Sequence, residues 1–353
     1  MKVKVVIGAN YGDEGKGLVS GNLAASANGK TLTVFYNGTM QRCHTFLDVA
    51  RQCTAAGTAF GSDTYYHPKF VVDPITLWLK QETAIIDPNC RLIIPCDVAS
   101  NRNAEINRGN NRHGSCGFGL FAAVKRSVED KVPAILLKDP YALYKKLYDM
   151  REKYPYDYDM IYNLDNFMKA ADYIKAKCDF KTFDEIAYNY DNIIYEGAQG
   201  LLLDQSNMHD FPHLTPSSVG IRNIAADIKK LGCIPELFYV SRTYMTRHGN
   251  GPMEDECDRV DINDAIVDRT NLYNKWQGQL RFGRINLDTL YTRVKKDANE
   301  FNGKANINLV FTQLNYTDNK LETIEGRKEI IKPDFCSNIY VSNDKQFIHL
   351  MEK

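Results

Sequence analysis

The chain has no excess of charge of either sign: its 353 residues carry 44 Lys and Arg against 44 Asp and Glu. That balance argues against the long-range attraction by which basic proteins gather on nucleic acid. No apolar run approaches the length of a transmembrane helix, and the first residues enter a strand-like run with no secretory pattern. The nine cysteines are an odd number without a Cys-x-x-Cys pair or a zinc-like spacing. Such a set is expected of free thiols in a reducing compartment. Repeats, linkers and breaks in composition are missing too. These absences lead us to expect a cytoplasmic protein that handles small molecules, with no direct nucleic-acid or membrane partner. The length would suit one large or two ordinary domains; without a break, a single elaborated domain over 1–353 is the simplest account.

What is present is led by Gly8-Ala-Asn-Tyr-Gly-Asp-Glu-Gly-Lys-Gly17. A β-branched run at 3–7 precedes it and a helical pattern at 18–27 follows. Strand, glycine-rich turn and helix is the geometry that directs backbone N–H groups and a helix N-terminus at a phosphate, and Lys16 adds a cation. A plain βα connector would also carry glycines, but Asp-Glu set against Gly-Lys-Gly is unusual for one. Nor is this a Walker A loop, which has four residues between its glycines and a Ser or Thr after the lysine. Here six residues separate Gly8 from Gly15, and Gly17 follows the lysine. A magnesium ion on these phosphates would need another hard oxygen, and Asp13 and Glu14 are at hand. A carboxylate among phosphate-binding amides could equally act as a base.

A second strand pattern, 31–36, ends in Asn37-Gly-Thr-Met-Gln-Arg-Cys-His-Thr45, polar groups at a strand's carboxyl end, where α/β proteins bind ligands. His44 is there a candidate acid to partner Asp13. Strand patterns at 70–73 and 91–95 flank a helical stretch at 75–83. Residues 101–121, rich in Asn, Arg and Gly, read as a long surface or binding loop. Residues 140–190 read as a helical excursion whose tyrosines pack helices. Further strand patterns stand at 192–195, 236–241, 307–311 and 339–342, with a helix at 221–231. Three strands run into polar motifs: Glu196-Gly-Ala-Gln-Gly200, Thr246-Arg-His-Gly-Asn-Gly-Pro252 and Thr312-Gln-Leu-Asn315. The 274–284 segment carries two arginines suited to a carboxylate or phosphate. Strands alternating with helices predict an α/β protein whose mostly parallel central sheet is flanked by helices.

In this order, 12–17, His44-Thr45, 196–200, 246–252, 278–284 with Leu287-Asp288-Thr289, and 312–315 resemble the signature motifs of adenylosuccinate synthetase. They span nearly the whole chain, which is similar to compact members of that family. The resemblance implies a P-loop-NTPase-like fold with helical excursions, a homodimer, and a two-step ligation. Asp13 would take the proton from purine N1 while a nucleotide's γ-phosphate passes to O6. His44 would stabilise the charge on that oxygen, and the amine of L-aspartate would then displace phosphate. Such chemistry rests on positioning and electrostatics. By family position Mg2+ would rest on Asp13 and the backbone carbonyl of Cys43. Gly12, Gly15, Lys16, Gly17 and Thr45 would cradle donor phosphates, with Arg281, Gln313, Asn315 and Ser342 completing the donor site. The purine monophosphate would meet Asp13, Ser20, Asn37, Gln41, Arg42, Ser115, Cys116, Gln199 and Thr215, with Arg126 reaching a partner subunit's nucleotide. L-Aspartate would meet Lys275, Trp276, Gln277, Gly278, Gln279, Leu280 and Arg281.

Four departures from the family pattern bear on specificity. Asn315 stands where the family has Asp, which accepts from N1–H and the 2-amino group of guanine. Asn offers one acceptor and one donor and suits an adenine edge instead. ATP or dATP is therefore the expected donor. Ser20 replaces an Asp beyond the lysine, the 37–45 segment is rewritten, and Gln279-Leu280 replace part of an arginine cluster. These changes resemble the viral branch of the family, the N6-succino-2-amino-2′-deoxyadenylate synthases, which act on dGMP to supply 2-aminoadenine for phage DNA. The ordinary reaction with IMP and GTP is the chief rival. A non-catalytic nucleotide sensor would need neither Asp13 nor His44, and a simple phosphotransferase would not need the 275–284 loop.

Overall fold

Val3, Val5, Val6 and Ile7 are all buried, so the first strand, Lys2–Gly8, needs cover on both faces. A parallel sheet sandwiched by helices supplies it. The computed structural model describes residues 1–39, 62–154, 160–268, 273, 275–343 and 347–351. Its central sheet has ten strands in the order His349–Leu350, Asn338–Val341, Asn306–Thr312, Glu236–Arg242, Lys2–Gly8, Asn192–Gly200, Thr31–Phe35, Ser62–Tyr66, Ile85–Ile86 and Asp179–Phe180. All neighbours pair in parallel except the edge strand His349–Leu350. The first strand lies near the middle, with Lys4 beside Ile194 on one side and Glu236 on the other. Because the strands run the same way, Gly8, Phe35, Gly200, Arg242 and Thr312 end along one rim.

One face of the sheet, with Val5, Ile7, Tyr239 and Leu309, packs against Leu290 and Val294 of the helix Leu287–Ala298 and Ile228 of the helix Ala225–Leu231. The other, with Val6, Ile194, Phe238 and Val310, packs against Val19 and Leu23 of the helix Lys16–Ala25. A further apolar cluster within 66–174 joins the helices Pro140–Met150 and Leu164–Lys177 through Leu143, Leu147, Phe167 and Ile174. No described helix is long and apolar enough to cross a membrane.

Two elements differ from expectation. Ser62–Tyr66 is a strand despite its polar sequence, because its hydroxyls find partners: Ser62 Oγ meets Thr33 Oγ1 at 2.8 Å, and buried Tyr65 donates to Asp87 at 2.8 Å. The supposed strand at 91–95 shrinks to Arg91–Leu92, and a helix, Pro95–Arg108, occupies the start of the supposed 101–121 loop. Pro95 opens that helix, and the Asp97 carboxylate accepts from Ile94 N at 2.9 Å.

Candidate active site

The glycine-rich turn and the 196–200 motif, far apart in sequence, meet backbone to backbone. Gly12 has φ +125°, and a side chain there would stand 2.8 Å from Gln199 Cα; one at Gly200 would stand 2.3 Å from Asn10 O. Neither position tolerates a Cβ, so the two motifs form one floor. Gly15, also left-handed, starts the helix Lys16–Ala25, whose first N–H groups face the rim. Lys16 is buried and its ammonium donates to Gly12 O. A phosphate arriving here therefore meets a cation already held in the turn.

Two carboxylates stand side by side in this turn in different environments. Asp13 remains partly open, its carboxylate 3.5 Å from His248 Nε2, while Arg242 donates to its backbone carbonyl at 2.6 Å. Glu14 is buried. Its Oε1 accepts from Asn10 N at 2.6 Å, and Oε2 has no hydrogen-bond partner among the described residues. Burial pushes the Glu14 carboxyl up to about 7, against the opposing pull of Lys16. Asp13 thus keeps an open edge toward the rim, and Glu14 is part of the wall. No trio of His, Cys, Asp or Glu converges among the described residues. Asp13 with substrate phosphates fits magnesium, which takes one or two carboxylates and fills its shell with phosphate oxygens and water.

The rim beyond the turn is shared with 312–315. Thr312 Oγ1 donates to Glu14 O at 2.9 Å, Gln313 takes a left-handed φ of 67°, and Asn315 is exposed. Ser342 lies at the end of the adjacent strand, and its carbonyl accepts from Leu314 N at 3.3 Å. On the far side three loops interlock. Asn250 Nδ2 donates to Arg112 O at 2.6 Å, Arg112 Nη1 donates to Lys275 O at 2.8 Å, and Trp276 lies over Gly117. Through His248, which precedes Gly249, this cluster reaches Asp13.

The sequence profile of the adenylosuccinate synthetase family matches residues 5–324. The chain belongs to the adenylosuccinate synthetase family. It is therefore a carbon–nitrogen ligase of the synthetase type. The adenylosuccinate synthetase of Prochlorococcus marinus (strain MIT 9515) is 27% identical over 311 residues, covering 78% of this chain and 69% of that protein. That of Trichodesmium erythraeum (strain IMS101) is 25% identical over 312 residues with the same coverage. Among solved structures, the fully ligated synthetase of Plasmodium falciparum superposes with a TM-score of 0.66 at 15% identity, covering 89% of this chain and 77% of that one. The cyanophage S-2L succinoaminodeoxyadenylate synthetase, bound to dGMP and dATP, gives 0.61 at 16% identity, covering 99% and 95%. The adenylosuccinate synthetase fold is common to all.

Within this synthetase fold, the residues expected at the site make these contacts in the chain itself. Ser20 is buried and its hydroxyl donates to the Glu196 carboxylate. Asn37 is also buried: its Oδ1 accepts from Ala198 N at 2.6 Å and its Nδ2 donates to Ser218 O at 3.0 Å, which pins the 215–219 loop to the floor. Arg126 is 5% exposed and bound bidentately to Asp97, with further bonds to Leu92 O and Asp130 O. It ties the helix Leu120–Arg126 to the start of the helix Pro95–Arg108 within this chain. Arg281 is engaged by Glu256 and by the carbonyls of Gly249 and Gly251, and Leu280 packs with Tyr244 and Phe282. Ser115 accepts from Asn101 Nδ2 at 2.7 Å, burial raises the Cys116 thiol, and Thr215 is buried with its N–H on Leu203 O. Lys275 and Gln279 are exposed, and Gln277 and Gly278 half-buried. Gln41, Arg42, Cys43, His44 and Thr45 lie outside the described residues. His248, beside Asp13, was not singled out by its sequence; only its place within 246–252 pointed there.

Proposed function

We propose that the protein joins L-aspartate to C6 of dGMP, using ATP or dATP, to give N6-succino-2-amino-2′-deoxyadenylate, ADP or dADP, and phosphate, for 2-aminoadenine synthesis in phage DNA. Asp13 accepts the purine N1 proton, and the 12–17 turn holds the donor's phosphates. The γ-phosphoryl group moves to O6, and the aspartate amine then expels it as phosphate. Magnesium, when bound, screens the phosphate charge and orients the donor; Asp13 and the carbonyl of Cys43 would hold it. His44 stabilises the O6 charge in this reading, the 275–281 loop receives aspartate, and the protein works as a homodimer. The observation that carries the choice of donor is Asn315, exposed on the donor rim beside the turn where the family pattern has Asp. The fold likeness to the cyanophage enzyme, whose structure holds dGMP and dATP, supports the same reading.

The second reading, IMP with GTP, is favoured by the sequence relatives, which are adenylosuccinate synthetases. Steady-state turnover with dGMP or IMP, each paired with ATP, dATP or GTP, separates the two. We expect activity with dGMP and an adenine donor. Turnover confined to IMP and GTP would overturn the proposal, and ADP release without aspartate would point to a phosphotransferase.

A further inference from the structure

Asp13 stands in a glycine-rich turn, and the backbone freedom that glycine brings leaves a carboxylate there without a fixed aim. A base must come within about 2.6–3.2 Å of the proton it takes, and a misplacement of about 1 Å can cost a hundredfold in rate. The strand Glu236–Arg242 and the segment after it supply two contacts that fix this aim. Arg242 donates through Nε to Asp13 O at 2.6 Å. Its guanidinium is buried, its Nη2 donates to the Asp268 carboxylate at 3.0 Å, and it lies 5.8 Å from the centre of the Tyr244 ring. A cation paired and packed in this way holds the main chain of Asp13 and leaves only its side-chain torsions to settle.

His248 meets the side chain. Its Nε2 lies 3.5 Å from Asp13 Oδ2, long for a hydrogen bond. Contacts of this kind in catalytic sites commonly tighten only when a ligand binds. The imidazole is 11% exposed and the carboxylate 24%, so the pair is sheltered while Asp13 keeps its edge on the rim. The residues on either side of His248 are held. Arg247, 2% exposed, donates to the carbonyls of Pro252, His213 and Asn250. Gly249 has φ +77°, and a Cβ there would stand 2.6 Å from Gly114 O. A turn braced on both sides carries the imidazole to one place, which is what a residue that orients another requires.

We infer that His248 is a positioning residue for the reaction. Its Nε2–H holds Oδ2 of Asp13 and so aims Oδ1 at the purine N1 proton, an inference that rests on the reading of Asp13 as the base. The test is steady-state and single-turnover kinetics of wild type, His248→Leu, His248→Gln, Asp13→Asn and the double variant His248→Leu with Asp13→Asn. The substrates are aspartate with dGMP and ATP or with IMP and GTP, whichever pair the wild type turns over. His248→Leu should lower kcat about ten- to a hundredfold while each KM stays within about threefold. Its melting temperature should match wild type. His248→Gln, whose amide N–H stands near the position of Nε2, should recover most of the rate and covers the case of an unfolded His248→Leu. Because a positioning residue acts through its partner, His248→Leu should cost nothing further in the Asp13→Asn background. Equal losses in the two backgrounds would mean that His248 acts apart from Asp13 and would overturn the inference. A wild-type kcat in His248→Leu beside an inactive Asp13→Asn would overturn it too, with the base reading left standing. Near-normal turnover by Asp13→Asn removes the base reading, and the positioning role falls with it.

Discussion

Asp13 and Glu14 are neighbours with opposite fates, and the difference is burial. Asp13 keeps an open edge on the rim, whereas Glu14 turns into the wall behind Asn10. The proposed reaction needs a base where a ligand can reach it, so Asp13→Asn, which preserves shape and removes basicity, should lower kcat by about 10²–10⁴. The melting temperature and circular dichroism should stay close to wild type; near-normal turnover would remove Asp13 from the proposed role. Composition made the turn visible because four of its ten residues are glycine. The reason for glycine at 12 and 200 was not visible, since it lies in a contact between segments nearly two hundred residues apart. His248 was missed for a related cause: one histidine in a glycine turn carries no periodic or motif signal until folding sets it 3.5 Å from Asp13.

At the scale of elements, the helices Pro95–Arg108 and Leu120–Arg126 are joined by the buried Asp97–Arg126 pair, 2.8 Å from Nε to Oδ1. Removing one member leaves the other charge buried without compensation, so Arg126→Met should cost about 3–5 kcal/mol in urea unfolding. Nucleotide KM values should hardly change in the folded fraction. A large KM effect with unchanged stability would instead support the expectation that Arg126 meets a partner's nucleotide. The same helix shows where reading from sequence stops. Strands 3–7, 192–195 and 307–311 were legible because β-branched residues buried on both faces leave an unbroken apolar run. The helix was not, because Asn101 and Glu105, poor signals for a core, are buried to hold a loop: Asn101 bonds Ser115 and Gly119 N, and Glu105 bonds Gly114 N and Arg108. Polar residues that satisfy one another look like surface in a hydropathy pattern. Ser62–Tyr66 was hidden in the same way.

Across the whole molecule, the helix Leu287–Ala298 ties the site to the core through two charged groups one turn apart. Arg293, whose guanidinium burial lowers to about 10, donates to Ala9 O at 2.7 Å and to Asn10 in the turn. One turn on, Asp297 accepts from Tyr239 OH at 2.8 Å and Ile221 N at 3.1 Å, and burial raises its carboxyl from 3.8 to about 6. Glu14 rises likewise from 4.5 to about 7. A carboxyl with a raised folded-state pKa holds its proton over a range where the unfolded chain has released it. Its favourable contribution is complete below the unfolded value and is lost as pH climbs through the folded one. Both groups should therefore make the protein less stable between about pH 4 and pH 8, each by about 3 kcal/mol at most, since one pKa unit corresponds to about 1.4 kcal/mol. Glu14→Gln and Asp297→Asn remove the titration. Any fixed structural cost of either substitution cancels when one variant is compared with wild type at two pH values. Urea unfolding at pH 5 and pH 8 should thus show Glu14→Gln gaining about 2–3 kcal/mol, and Asp297→Asn about 1–1.5 kcal/mol, relative to wild type at the higher pH. Stability differences that stay constant across this range would mean that neither carboxyl carries a displaced proton.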